Sequence, residues 1–193
     1  MSLKTLFACG LRSPVVAAGI LFAGLFAPPI PVIAQAQTIE TIEECNQFAD
    51  LVNRNQEILE AFEVEINRFS ANAVEAETLD EIRQAASQYV AAVNEVTDNL
   101  ATLATDLEGL AIADGELSIY RDDYITVVSG FSEALDVVSG AMAGVADAAS
   151  EAELSENLDA VQTDTTEAIE QIDELAIDES DLLNDFNAYC GAS

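Results

Sequence analysis

The chain has no histidine, and only six cationic residues face 36 acidic ones across its 193 positions. Each shortage removes a class of function. Without His there is no Ser-His or Cys-His nucleophile pair, no Glu-x-x-His di-iron site and no Cys-x-x-Cys-His haem attachment. Cysteine is nearly as scarce. Three residues, Cys9, Cys45 and Cys190, cannot build a paired-Cys zinc site, and no glycine-rich loop is present to cradle a phosphate. The carboxylates that remain are scattered and single out no acid–base pair. A protein without catalytic residues, cofactor or dedicated metal centre is therefore expected.

The shortage of positive charge is sharper beyond the first segment. After Gln37 only Arg54, Arg68, Arg83 and Arg121 oppose all 36 acids, there is no Lys, and the net charge is −32. Such a surface repels phosphate backbones and anionic lipid head groups, which excludes nucleic acid and anionic membranes as partners of the mature chain. A basic protein or divalent cations remain compatible with it. So does a salty medium, because screening relieves self-repulsion among exposed carboxylates. No feature sets an oligomeric state.

Both other cations lie at the start. Lys4 and Arg12 precede an apolar run from Val15 to Ala27, short for a bilayer span and followed by Pro28, Pro29 and Pro31. Val32-Ile33-Ala34 and Ala34-Gln35-Ala36 are small-residue cleavage patterns, so residues 1–36 read as a secretory signal peptide and 37–193 as the exported domain, periplasmic or extracellular. Cys9 follows Leu6-Phe7-Ala8, but no apolar stretch precedes it, which argues against a lipid anchor there. No stretch after Gln37 reads as a membrane span.

The mature chain is dominated by one pattern. Large apolar residues recur in steps of three and four, which is the period of a helix face. Four helices are predicted, over about 38–76, 78–110, 116–149 and 151–190. The first carries Ile42, Cys45, Phe48, Val52, Leu59, Phe62, Ile66 and Phe69; the second Ile82, Tyr89, Val93, Val96, Leu100, Leu103, Leu107 and Leu110. The third carries Leu117, Tyr120, Tyr124, Val127, Phe131, Leu135, Val138, Met142 and Val145. The fourth carries Leu154, Leu158, Val161, Ile169, Ile172, Leu175, Leu182, Phe186 and Tyr189. Thr78-Leu79-Asp80-Glu81 is a capping box, and Asp114-Gly115 marks a turn. Folding there sets Leu110 against Leu117 and Ile82 against Val145. The expected fold is all-α: an up-down-up-down antiparallel four-helix bundle with coiled-coil-like stripes and short connections.

Extending these layers around a closed ring places Val52 opposite Leu183, Leu59 opposite Ala176 and Cys45 opposite Cys190. In an exported protein that last pair is expected to form a disulfide. The same register puts Gln56, Tyr124 and Glu179 in one buried polar layer, with Arg121 as a candidate neutralising partner. Ser70, Tyr89 and Thr165 share a second layer with Val138. Such layers commonly fix register; a small polar pocket is the functional alternative. Glu167, Glu170, Glu174, Asp178, Asp181 and Asp185 line one face of the fourth helix in steps of three and four. No loop supplies the six to eight oxygens that calcium takes, so this face reads as solvated or as a dock for a basic partner. Gly140-x-x-x-Gly144 lies beside the core stripe, open to a second bundle or to a bend.

Two functions are compatible with these features. The first is an exported binding or structural module of the cell envelope, acting through acidic helix faces. The second is a carrier of a small apolar ligand in the bundle core, suggested by the Ala-rich third helix.

Overall fold

The computed structural model describes residues 39–191; the signal-peptide reading of residues 1–36, with Cys9 and the two cleavage patterns, lies outside them. Four helices follow one another: α1 (Ile39–Glu75), α2 (Leu79–Gly109), α3 (Gly115–Asp147) and α4 (Glu151–Cys190). Their ends fall within two residues of the expected ones, because local chemistry fixes them. Thr78 Oγ1 accepts from the Glu81 amide while Glu81 Oε2 takes the Thr78 amide at 2.9 Å, the reciprocal pair that starts α2. Asp114 caps α3 by accepting from the Glu116 and Leu117 amides. Ser150 starts α4 by accepting from the Glu153 amide, and Gly191 ends it at φ 69°, a left-handed conformation that glycine adopts without Cβ strain.

The helices pack in chain order, α1 on α2, α2 on α3 and α3 on α4, as an up-down-up-down bundle. At 31 to 40 residues each, they make a rod about 45–60 Å long. The inner pair carries the core. Ile82, Val93, Val96, Leu100, Leu103 and Leu107 of α2 are buried, as are Leu117, Tyr124, Val127, Phe131, Leu135, Val138, Met142 and Val145 of α3. Of the described helices, α3 alone is long and apolar enough by composition to cross a bilayer, where the sequence suggested no such stretch. Its apolar character is accounted for by its place in the bundle: eleven of its residues are buried between the neighbouring helices.

The outer pair behaves differently from expectation. On α1, Leu59, Phe62 and Ile66 are only half-buried and Ile42 is exposed; on α4, Leu158, Val161, Ile169, Ile172, Leu175 and Leu182 are half-buried. The ring still closes in the expected register, with the Cys45–Cys190 disulfide, the Phe48–Phe186 ring contact at 4.8 Å and the Asn55–Glu179 hydrogen bond at 3.2 Å joining α1 to α4, but its outer helices are less deeply buried. Backbone approach between α1 and α4 is sparse, and α1 leans toward α2 and diagonally toward α3. Three short connections force the sequential pairs together, whereas nothing in the chain path joins the first helix to the last.

At one end α1 and α4 are also cross-linked. Cys45 and Cys190 form a disulfide with a Cα separation of 6.0 Å, closing 145 residues of chain. On the chain-entropy model such a loop is worth at most about 5 kcal/mol. The core divides along the rod into two clusters. One surrounds Phe48, Leu103 and Tyr124 near the disulfide, and the other surrounds Ala73, Ile82 and Val145 at the opposite end. Gly130 lets α3 and α4 approach closely, since a Cβ there would sit 2.8 Å from Leu175 Cδ2. Gly144 faces α4 as well, its carbonyl accepting from Asn157 Nδ2 at 2.7 Å, while Gly140 looks into open space. The small-residue pair thus does not act as one surface.

Candidate functional site

A polar layer does cross the core, with one member corrected. Asn55, not Gln56, is the inward residue of α1: Asn55 has no exposed surface, whereas Gln56 is exposed. Both fit between Val52 and Leu59, one by a step of three and the other by a step of four. The stripe Cys45, Phe48, Val52, Asn55, Leu59, Phe62, Ile66, Phe69, Ala73 alternates threes and fours without a break, and that alternation, extended through a polar residue, identifies Asn55.

Three helices supply the layer. Asn55 Nδ2 donates to the Tyr124 hydroxyl at 3.0 Å and to Glu179 Oε1 at 3.2 Å, and the Tyr124 hydroxyl donates to the same Oε1 at 3.0 Å. Phe48 and Phe186 wall the layer, with Phe48 edge-on to both the Tyr124 ring at 5.7 Å and the Phe186 ring at 4.8 Å. Tyr124 has no exposed surface and Glu179 is 7 % exposed. Burial pushes the Glu179 carboxyl above the usual carboxylate range, against the two hydrogen bonds that favour its charged form. Burial, then the neighbouring Glu179 charge, raises the Tyr124 hydroxyl far above an ordinary phenol. Asn55 Oδ1 is buried and finds no hydrogen-bond partner among the described residues. The arrangement is thus donor-rich on the amide side and short of a donor at one acceptor. Chemically it can hold a proton on Glu179 and fix the register of three helices.

Arg121 does not neutralise Glu179. Its Nη1 donates to the Leu110 carbonyl at the end of α2, Nη2 to Ser118 Oγ, and Nε to Asp122. An arginine in the second turn of α3 is better placed to satisfy an orphan carbonyl at the adjacent helix end than to reach into the core. In the second expected layer, Ser70, Tyr89 and Thr165 are half-buried around buried Val138. Tyr89 packs edge-on against Phe69 at 5.1 Å, and burial raises its hydroxyl to about 12.

A second polar cluster, not anticipated, ties the disulfide end. Glu44 of α1 is buried, and its carboxylate accepts from the Ala113 amide at 2.8 Å and the Asp114 amide at 3.2 Å. Asp114 Oδ2 in turn accepts from the Tyr189 hydroxyl of α4 at 2.8 Å. The Leu117 amide above all holds the Asp114 carboxyl below its ordinary range, while burial and the Asp114 bond raise Tyr189 to about 12. Glu44 immediately precedes Cys45 and Tyr189 immediately precedes Cys190, so the cross-link and this cluster brace the same end. The signal for Glu44 was its position one residue before a core cysteine, beside the expected turn.

The acidic face is as expected in placement: Glu167, Glu170, Glu174, Asp178, Asp181 and Asp185 are all exposed. Among the described residues no three acidic or cysteine side chains converge into a group able to hold a metal ion. Every arginine of the described residues is engaged: Arg54 with Asp106, Arg68 with Glu65, Arg83 with Asp80 and the Ala146 carbonyl, and Arg121 as above. One concavity, a groove of about 250 Å³ between α1 and α2, is lined by Glu65, Arg68, Phe69, Gln88, Ala91 and Glu95. Comparison with protein-family models, with curated proteins and with solved structures finds no match to this chain.

Proposed function

We propose that this protein is an exported, non-catalytic binding module of the cell envelope that meets cationic partners, a basic protein or divalent cations, through its acidic helix faces. One observation carries the reading. The surface charge has no internal remedy, because all four arginines of the described residues are engaged while the α4 stripe is exposed and uncompensated. Exposed like charges in steps of three and four cost a few tenths of a kcal/mol per pair, and a cationic partner would remove that cost. The disulfide supports an oxidising compartment.

A core carrier has less support. Leu100, Leu103, Leu107, Leu117 and Tyr124 are packed to zero exposure, and the groove between α1 and α2 mixes Phe69 and two alanines with the charged Glu65, Arg68 and Glu95.

The missing lysines make a direct test available. Carbodiimide cross-linking joins carboxylates to primary amines, and beyond Gln37 this chain has no lysine. Any cross-link from an α4 carboxylate to a lysine other than Lys4 therefore reports a second protein. Cross-linking in the native host, followed by peptide mass spectrometry, is expected to join the α4 stripe to one recurrent basic partner. Lysine cross-links spread thinly over abundant proteins would refute the reading. A lipid or pigment retained in native mass spectrometry would favour the carrier.

A further inference from the structure

We propose that Glu179 is a proton-operated clasp: carrying its proton it holds the middle of α4 in the bundle, and on losing it lets the stretch from Ile169 to Asp178 loosen. Placement carries the inference. The buried residues of α4 are Leu154, Ala168, Glu179 and Phe186, so between Ala168 and Phe186 the deepest contact is made by a titratable side chain. Ile172, Leu175 and Ala176 beside it are only half-buried. The two ends of α4 are held otherwise. Cys190 is cross-linked to Cys45 and Phe186 lies edge-on to Phe48 at 4.8 Å, while toward the other end Asn157 Nδ2 donates to the Gly144 carbonyl at 2.7 Å. None of these three ties titrates.

The hydrogen bonds match the neutral acid. Asn55 Nδ2 and the Tyr124 hydroxyl both donate to Oε1, and Oε2 accepts from none of the described residues. A carboxylic acid keeps one oxygen as a double acceptor and carries its proton on the other, whereas a carboxylate accepts at both. Asn55 faces the group from α1 and Tyr124 from α3, while α2 brings apolar Leu100 and Leu103 to the surrounding cluster. Arg54, next to Asn55, is held by Asp106 of α2, and the nearby acids of α4 itself, Asp173, Glu174, Asp178 and Asp181, are exposed. A charge on Glu179 would therefore meet two neutral donors, no cation and the Phe48 and Phe186 rings, and only water could solvate it further. Those rings close the side toward the disulfide, so water enters over the half-buried turns that precede Glu179. Burial raises the folded-state pKa, with both donors opposing. The clasp is thus fully engaged below the unfolded pKa and released as pH rises through the folded one, each unit between the two shifting the opening equilibrium about tenfold.

Hydrogen exchange read by mass spectrometry resolves such a local opening. Protection along α4, corrected for the chemical exchange rate, is compared at pH 5 and pH 8 in the protein purified from its own host. Over residues 169–178 it is expected to fall at least about tenfold more than over 155–166 or 184–190, the shift that one pH unit of separation supplies. In Glu179→Gln the three segments should change alike. Glu179→Leu, which cannot titrate either, serves if the Gln variant does not fold by circular dichroism. Equal loss in all three segments of the wild type would overturn the clasp, because general repulsion among the carboxylates would then account for it. A middle segment that loosens as much in the Gln or Leu variant would overturn the role of the Glu179 proton. Greater protection of that segment at pH 8 than at pH 5 would overturn the sign and the proposal with it.

Discussion

Replacing Glu179 by Gln tests the buried layer most directly. The carboxylate is 7 % exposed and has two donors, Tyr124 and Asn55, but no cationic neighbour among the described residues. Burial raises its folded-state pKa above the unfolded value. The sign follows from linkage. Below the unfolded pKa both states hold the proton and the group leaves stability unchanged. As pH rises from there through the raised folded pKa, the unfolded chain releases the proton first, and stability falls by about 1.4 kcal/mol for each pH unit between the two values. At neutral pH the folded protein carries that penalty. Glutamine keeps an oxygen for the Tyr124 and Asn55 donors, removes the titration, and adds an N–H within the layer where Asn55 Oδ1 lacks a partner. Relief of an unmet buried acceptor and an uncompensated charge together is worth about 1–3 kcal/mol. For a domain of this size that is a rise of roughly 3–10 °C in Tm. Thermal melts of both proteins at pH 7 and pH 5 measure it: the wild type should gain stability on acidification, the variant should be higher at pH 7, and the gap should narrow at pH 5. A Glu179→Gln variant that melts lower at pH 7 by an equal amount would refute the reasoning, because it would mean that Glu179 is held as a stabilising carboxylate by its two donors.

Three further outcomes are expected. Reducing the Cys45–Cys190 bond, or replacing both residues by Ala, should lower stability by about 2–4 kcal/mol in denaturant melts; an unchanged midpoint would mean that the Glu44 and Tyr189 contacts hold that end alone. Glu44→Ala orphans two amides of the α2–α3 turn and should cost about 1–3 kcal/mol, with Tyr189→Phe costing about 1 and a double-mutant cycle showing coupling through Asp114. With −32 beyond Gln37, Tm should rise clearly between low salt and about 1 M sodium chloride, where the screening length falls to about 3 Å; a Tm flat in salt would show that the acids ignore one another, and a calcium response far above that of magnesium would require a specific site.

The sequence by itself determined the helices, their order and their pairing. The three-four stripe, the Thr78–Glu81 box and the Asp114 cap are local, and short connections leave sequential helices no partner but each other. The 45–190 disulfide was legible too, because it follows from carrying the register once around the bundle. Tertiary structure decided what the period leaves ambiguous. Asn55 and Gln56 both lie within one step of the stripe; the strict three-four alternation favours Asn55, and packing against Tyr124 and Glu179 fixes it. Arg121 turned to a helix-end carbonyl, and Glu44 became a cap for amides about 70 residues away in sequence, because long-range hydrogen bonds to backbone leave no periodic trace. The shallower burial of the outer helices was likewise invisible: a stripe states which residues prefer to leave water, and the geometry of the whole bundle states which of them succeed.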